Sequence, residues 1–196
     1  MITLGQRVTH AIDAVGRGEY EFALEDVAVA IDISAQKQAR SAHSKKSDYK
    51  AFIDSYCWIV ELFALSGVDL EKSTFENVVI PGAKGSPRMP DLVYHLVRCG
   101  LVHSTGLRPS LQFIDGRQLR FAKELIVLPW QVFWGLLACV VFAKVNSDEH
   151  SVGNHFLEYG GQKWLIADIW GREELIRPLY DADVTVRVAL KVPPFT

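Results

Sequence analysis

With 196 residues, 49% of them hydrophobic and 22% charged, the chain has ample material for one globular core and needs neither disulfide nor metal to hold it. Its 21 Lys and Arg against 23 Asp and Glu give a formal charge of −2, which excludes a global attraction to nucleic acid; phosphate binding would need a local concentration of cations. Cys57, Cys99 and Cys139 are odd in number and outside any zinc spacing, and the first residues, Met-Ile-Thr-Leu-Gly-Gln-Arg, lack a secretion signal, so a cytoplasmic location is expected.

Apolar residues recur at three and four from Leu4 to Val15 and from Tyr20 to about Ala42, where Leu24, Val27, Ala28, Ile31 and Ala35 trace one stripe. Gly16 and Gly18 separate the two runs, so they are expected to form an antiparallel helical hairpin. A third helix is expected from Ser47 to about Gly67. Residues 68–89 contain Pro81, Gly82, Gly85 and Pro87 and read as a loop with a short apolar piece at Val78-Val79-Ile80. Pro90 and Asp91 suit the first turn of a fourth helix, with Leu92, Leu96 and Cys99 on its core side.

Alternation around Asp115-Gly116 predicts a β-hairpin over about 110–121. The run from Ile126 to Ala143, 18 residues with Gln131 as its only strongly polar member, reaches the minimum length of a membrane span. It reads instead as a buried helix from Pro129 to Val145, because Pro129 belongs in a first turn and no basic cluster flanks it. Beyond Asn146 the texture changes: a hairpin around Gly160-Gly161, a short helix over 172–179 and a strand-like 184–190 form a small mixed α/β appendage, residues 147–196. The expected fold is mainly α: a helical bundle over 1–146 with a β-hairpin insertion, followed by that appendage.

The stretch with most chemistry is Asp91-Leu-Val-Tyr-His-Leu-Val-Arg98-Cys-Gly-Leu-Val-His103. Imidazole titrates near neutrality and can move the 2′-hydroxyl proton or protonate a leaving oxygen, while guanidinium stabilises charge on a phosphate in flight. The pair therefore suffices for RNA cleavage without metal or cofactor. On a regular helix five positions turn the chain by about 140°, so Arg98 and His103 would diverge unless the helix loosens near Gly100 or Gly106. Asp91 and His95 fall near the face of Arg98. Asp26 and Asp32 interrupt the second helix's apolar run, and either carboxylate could face water or aim at the arginine.

The helical hairpin, third helix, long loop and helix carrying Arg98-x-x-x-x-His103 resemble the HEPN superfamily, over about residues 1–146. The resemblance implies an all-helical bundle, dimerisation across the motif helix, and metal-independent endoribonuclease activity in toxin, phage-defence or RNA-processing roles. It casts Arg98 and His103 as catalytic residues, with Asp32, Asp91, His95 and Cys99 as groove or supporting candidates. Active members usually carry Asn, Asp or His directly after the arginine, where this chain has Cys99, and no tyrosine follows His103 by two positions. The alternative is an inactive module of the same kind that binds a nucleotide, RNA or a protein partner.

Other constellations carry less. Arg88 and His95, with six residues between them, make a second match, but Pro90 leaves Arg88 in the loop. Asp54 and Glu61 share a face of the third helix without a histidine beside them, and Asp148, Glu149, His150 and His155 match no zinc pattern. Two cationic clusters, Lys37 to Lys50 and Arg98 to Lys123, could be solvated surface or a phosphate footprint. Absence of GxGxxG, Walker, Gly-x-Ser-x-Gly and His-Glu-x-x-His motifs removes the commonest routes to a dehydrogenase, NTPase, esterase or metalloprotease.

Overall fold

A computed structural model describes residues 2–80, 85–103, 110–150, 153–183 and 186–195, and for Val102 and His103 the backbone alone. The expected loop glycine Gly82, the helix end at Gly106, Arg108 and part of the strand-like 184–190 lie outside the described residues.

Helix α1 (Leu4–Gly16) begins with a reciprocal cap: the Gln6 N–H donates to the Thr3 hydroxyl, and the Thr3 N–H donates to the Gln6 side chain. It packs antiparallel on α2 (Tyr20–Ala39), whose buried stripe is the predicted one. Helix α3 (Lys46–Ala64) lies against α2 and against α6 (Gln131–Phe142), which is buried nearly all round. A Cβ on Gly135 would stand 3.0 Å from the Val60 Cα, so this glycine sets how closely α3 and α6 approach. Gly135→Val is therefore expected to destabilise the fold by about 2–3 kcal/mol, read from the midpoint of urea unfolding. Gly135→Ala should cost less, since alanine gains roughly 1 kcal/mol of helix propensity.

The mainly α bundle expected from the sequence is not what forms: the fold is mixed α/β, with three small sheets among the described residues. The predicted hairpin over 110–121 is replaced by a three-stranded sheet in the order β2 (Leu111–Ile114), β4 (Leu125–Pro129), β3 (Arg120–Ala122). Strand β4 is central, parallel to β2 and antiparallel to β3, so the two strands expected to pair with each other both pair with β4 instead. The tight turn falls at Lys123-Glu124, where Glu124 adopts φ 53, rather than at Asp115-Gly116.

The same strand shortens the apolar helix expected from Pro129. Ile126, Val127 and Leu128 are all buried, and a short continuous apolar run fits a strand covered on both faces as well as a helix. The β-branched Ile126 and Val127 and the proline at the strand's end are compatible with a strand, and pairing with β2 and β3 decides for it. The Asn77 amide braces the turn by donating to the Ala122 and Leu125 carbonyls at 3.1 and 2.9 Å. What remains, α6, has 12 residues, and no helix among the described residues is long and apolar enough to cross a membrane.

After α6 a hairpin, β5 (Phe156–Tyr159) and β6 (Gln162–Leu165), turns through Gly160-Gly161, both at positive φ. Gly171, at φ 69, donates its N–H to the Val141 carbonyl at 2.8 Å and packs directly on Ser147. The short α7 (Arg177–Ala182) follows, and β7 (Lys191–Val192) then pairs in parallel with β1 (Thr74–Phe75). Leu157, Ile166, Trp170, Ile176 and Val192 join the same hydrophobic cluster as α1 to α3 and α6.

Candidate functional site

The motif helix is built in three pieces: α4 (Met89–Leu92), a widened turn over Val93–Arg98, and α5 (Cys99–His103). In the widened turn the Cys99 N–H reaches the Tyr94 carbonyl, an i→i+5 bond in place of i→i+4. Such turns are rare and are often found at functional sites. The loosening expected near Gly100 therefore occurs one turn earlier, ending on Arg98 itself.

This helix runs antiparallel to α3, and the two interlock through rungs spaced by four on α3 and by three on the motif helix. Asp54 pairs with Arg88 at 3.1 Å, Lys50 pairs with Asp91, and the Lys46 ammonium lies 5.6 Å from the centre of the Tyr94 ring. Asp91 also caps the helix by accepting the Arg88 N–H at 3.0 Å. Burial pushes the Asp91 carboxyl up, but the Arg88 N–H and the Lys50 ammonium together hold it below the ordinary aspartate range. The first two rungs are thus internally neutralised, whereas the third sets a cation against an aromatic ring.

Arg98 lies beyond that third rung. Its guanidinium carbon is 5.3 Å from the Tyr94 ring centre and 5.7 Å from that of Tyr49, and its Nε is 3.4 Å from the Asp32 carboxylate of α2. Burial disfavours its charge, but Asp32 and, with smaller contributions, Tyr94, Tyr49 and Cys99 together more than offset this and keep the guanidinium charged. Asp32 also accepts from the Ser44 hydroxyl and, at 3.3 Å, from the Gln36 amide. The Arg98 side chain keeps 19% of its surface exposed, so it is neither sealed nor loose.

Tyr49 and Tyr94 meet edge to face with ring centres 5.4 Å apart. Tyr49 is fully buried, and its hydroxyl has no hydrogen-bond partner among the described residues. An orphaned buried hydroxyl costs about 1–3 kcal/mol. Burial pushes this phenol well above its ordinary pKa, with the Arg98 charge opposing and the Asp32 charge adding to the effect.

Of the residues singled out from the sequence, the structure brings together Arg98, Asp32 and Cys99, the last facing the Tyr94 hydroxyl. His95 stands edge-on to Tyr94 at 5.0 Å and acts electrostatically on Asp91. The backbone of His103 ends α5, and its imidazole lies outside the described residues. Asp26 goes elsewhere, to Arg7 of α1 at 2.5 Å. Asp148 and Glu149 bind Lys37 at 2.7 and 2.5 Å, and His155 meets Asp13 at 3.3 Å. Among the described residues no group of His, Cys, Asp and Glu is arranged to hold a metal.

Sequence reasoning missed a second polar centre. Glu61, only 3% exposed, accepts the Leu70 N–H and the Tyr180 hydroxyl, each at 2.6 Å, with Arg187 3.9 Å away. A cleft of about 510 Å3 opens beside it, lined by Asp54, Trp58, Lys72, Arg177 and Tyr180 among others. The pairing of Asp54 with Glu61 on one helix face was visible, but their partners come from the far end of the chain.

Fold and site together define a mixed α/β protein in which two antiparallel helices carry a cluster of cations and tyrosines. The chain belongs to the Rv1289 family, whose model matches residues 3–195. The uncharacterized proteins Rv1289 of Mycobacterium tuberculosis and Mb1320 of Mycobacterium bovis are each 26% identical to it over 200 residues, spanning 96% of this chain and 93% of theirs. No solved structure matches it.

Proposed function

We propose that this protein is a cytoplasmic, metal-independent endoribonuclease whose Arg98 and His103 act like the Arg–His motif of the HEPN superfamily. The observation that carries this reading is the setting of Arg98: a charged guanidinium held by Asp32, flanked by two tyrosine rings and still reachable from solvent. A planar fork in such a frame suits a phosphodiester, and a preorganised cation stabilises the charge that develops when the 2′-hydroxyl attacks. His103 serves as general acid or base, Asp32 positions the arginine, and the products are a 2′,3′-cyclic phosphate and a 5′-hydroxyl. One histidine does not readily fill both proton-transfer roles, so a homodimer that apposes two motif helices completes the site.

A specific observation favours a second reading, a non-cleaving module that binds RNA, a nucleotide or a protein partner. Cys99 holds the position after the arginine and is engaged with Tyr94, so it offers little hydrogen bonding to a substrate. Incubation of the purified protein with a mixed RNA pool in EDTA separates the two. Cleavage with cyclic-phosphate ends is expected, reduced about a hundredfold or more in folded Arg98→Ala and His103→Ala variants. Intact RNA, or cleavage that survives both substitutions, would overturn the ribonuclease reading.

A further inference from the structure

The ladder between α3 and the motif helix pairs every cation with a carboxylate until it reaches Lys46. There the ring of Tyr94 takes the place of an acid, and no carboxylate lies within ion-pair distance of the Lys46 ammonium among the described residues. Arg98 approaches the same ring, so two cations converge on one tyrosine, with Asp32 as a countercharge to the arginine. The local balance is positive on a protein whose overall charge is −2.

Asp32 does not depend on the arginine alone for its partners. Its contact with Arg98, at 3.4 Å, is longer than a charge-assisted hydrogen bond, while Ser44 and Gln36 also donate to its carboxylate. An incoming anion can therefore share Arg98 while Ser44 and Gln36 keep donating to Asp32. Beside this point the buried Tyr49 hydroxyl has no hydrogen-bond partner among the described residues, a donor that an oxygen acceptor would satisfy.

We infer that Lys46 and Arg98, converging on Tyr94, form a phosphate subsite that grips the backbone of single-stranded RNA. The inference takes its ligand class from the ribonuclease reading above and its residues from geometry independent of it. Lys46 supplies a point charge, Arg98 a planar fork, and the half-buried Tyr94 an aromatic surface beside them on which a base can rest.

The test is binding, kept apart from cleavage. A short fluorescent 2′-O-methyl oligouridine lacks the attacking hydroxyl and is titrated with the full-length protein over a series of salt concentrations. Lys46→Ala is expected to weaken binding about five- to tenfold and to lower the slope of log K against log salt by about 0.7, one phosphate contact on a single strand. Lys46→Arg should restore most of both, and Lys163→Ala, an exposed lysine on β6, should change neither. Wild-type affinity and slope in Lys46→Ala, or no binding by the wild type, would overturn the subsite. Cleavage of ordinary RNA without a Lys46 effect on binding would sink the subsite and leave the ribonuclease reading intact. A Lys46 effect on binding without cleavage would do the reverse.

Discussion

Gly171→Ala should unfold the protein about 2–5 kcal/mol more easily than wild type, a loss read from urea titration followed by tryptophan fluorescence. Two independent costs add. Gly171 sits at φ 69, where a residue with a Cβ pays roughly 1–2 kcal/mol. That Cβ would also stand 2.6 Å from the Ser147 Cα and 2.7 Å from its nitrogen, contacts with backbone that no rotamer change can relieve. Overpacking of this kind costs about 1–3 kcal/mol and would pull the Gly171 N–H from the Val141 carbonyl. Gly160 provides the control: it lies at φ 59 in the β5–β6 turn, but nothing stands within 4 Å of its would-be Cβ. Gly160→Ala should therefore lose only the backbone share. Equal losses in the two variants would mean that the Ser147 contact has no energetic weight.

Glu61→Ala is the second large effect, about 3–5 kcal/mol, or a fall in Tm on the order of 10 °C. Truncation strands the Leu70 N–H and the Tyr180 hydroxyl and leaves Arg187 without its buried countercharge. The chain on either side of that carboxylate is what it ties down: residue 70 precedes β1, while Tyr180 and Arg187 precede β7, which pairs with it. Glu61→Gln keeps the shape and most of the hydrogen bonding, so it should lose less than half as much.

The two Glu61 variants also differ in pH dependence. Burial pushes the Glu61 carboxyl above the ordinary glutamate range, against the opposing hydrogen bonds from Tyr180 and Leu70. The folded protein therefore holds this proton more tightly than the unfolded chain does. Its stabilising effect is complete below the ordinary glutamate pKa and declines as pH rises through the raised folded value. Asp91 runs the other way, its lowered carboxyl contributing above the ordinary aspartate range and losing that contribution as pH falls through the folded value. Urea midpoints of Glu61→Gln measured across mildly acidic pH should lack the decline that wild type shows. A decline of equal size in both would assign it to other groups.

Local patterns in the sequence were legible and distant ones were not. The stripe from Leu24 to Ala35 and the Gly160-Gly161 turn declare themselves within a few residues, because each is the cause of its own element. The run Leu125 to Leu128 does not, since continuous apolarity is compatible with a buried strand and a buried helix alike, and only pairing with both β2 and β3 decides between them. Left outside any element, it leaves one three-stranded sheet reading as a hairpin. At the site, Asp32 could be named as one of two carboxylates on α2, but which of them meets Arg98 depends on how α2 and the motif helix cross. The roles of Tyr49, Tyr94 and Lys46 were hidden for another reason: an aromatic or lysine at helical spacing reads equally well as core or as solvated surface.

The widened turn between Val93 and Arg98 has a genetic consequence. A turn closed by i→i+5 bonds holds one residue more than its α counterpart, as though a codon had been inserted into an otherwise regular helix. Only a one-residue deletion would let the helix regain regular bonding in alignment; regular bonding with every residue kept would rotate everything beyond it by about 100° relative to Arg88 and Asp91. Arg98 would then swing away from Asp32 and Tyr49 although no side chain of the cluster had been altered. In this helix the number of residues is therefore as much a determinant of the site as their chemistry.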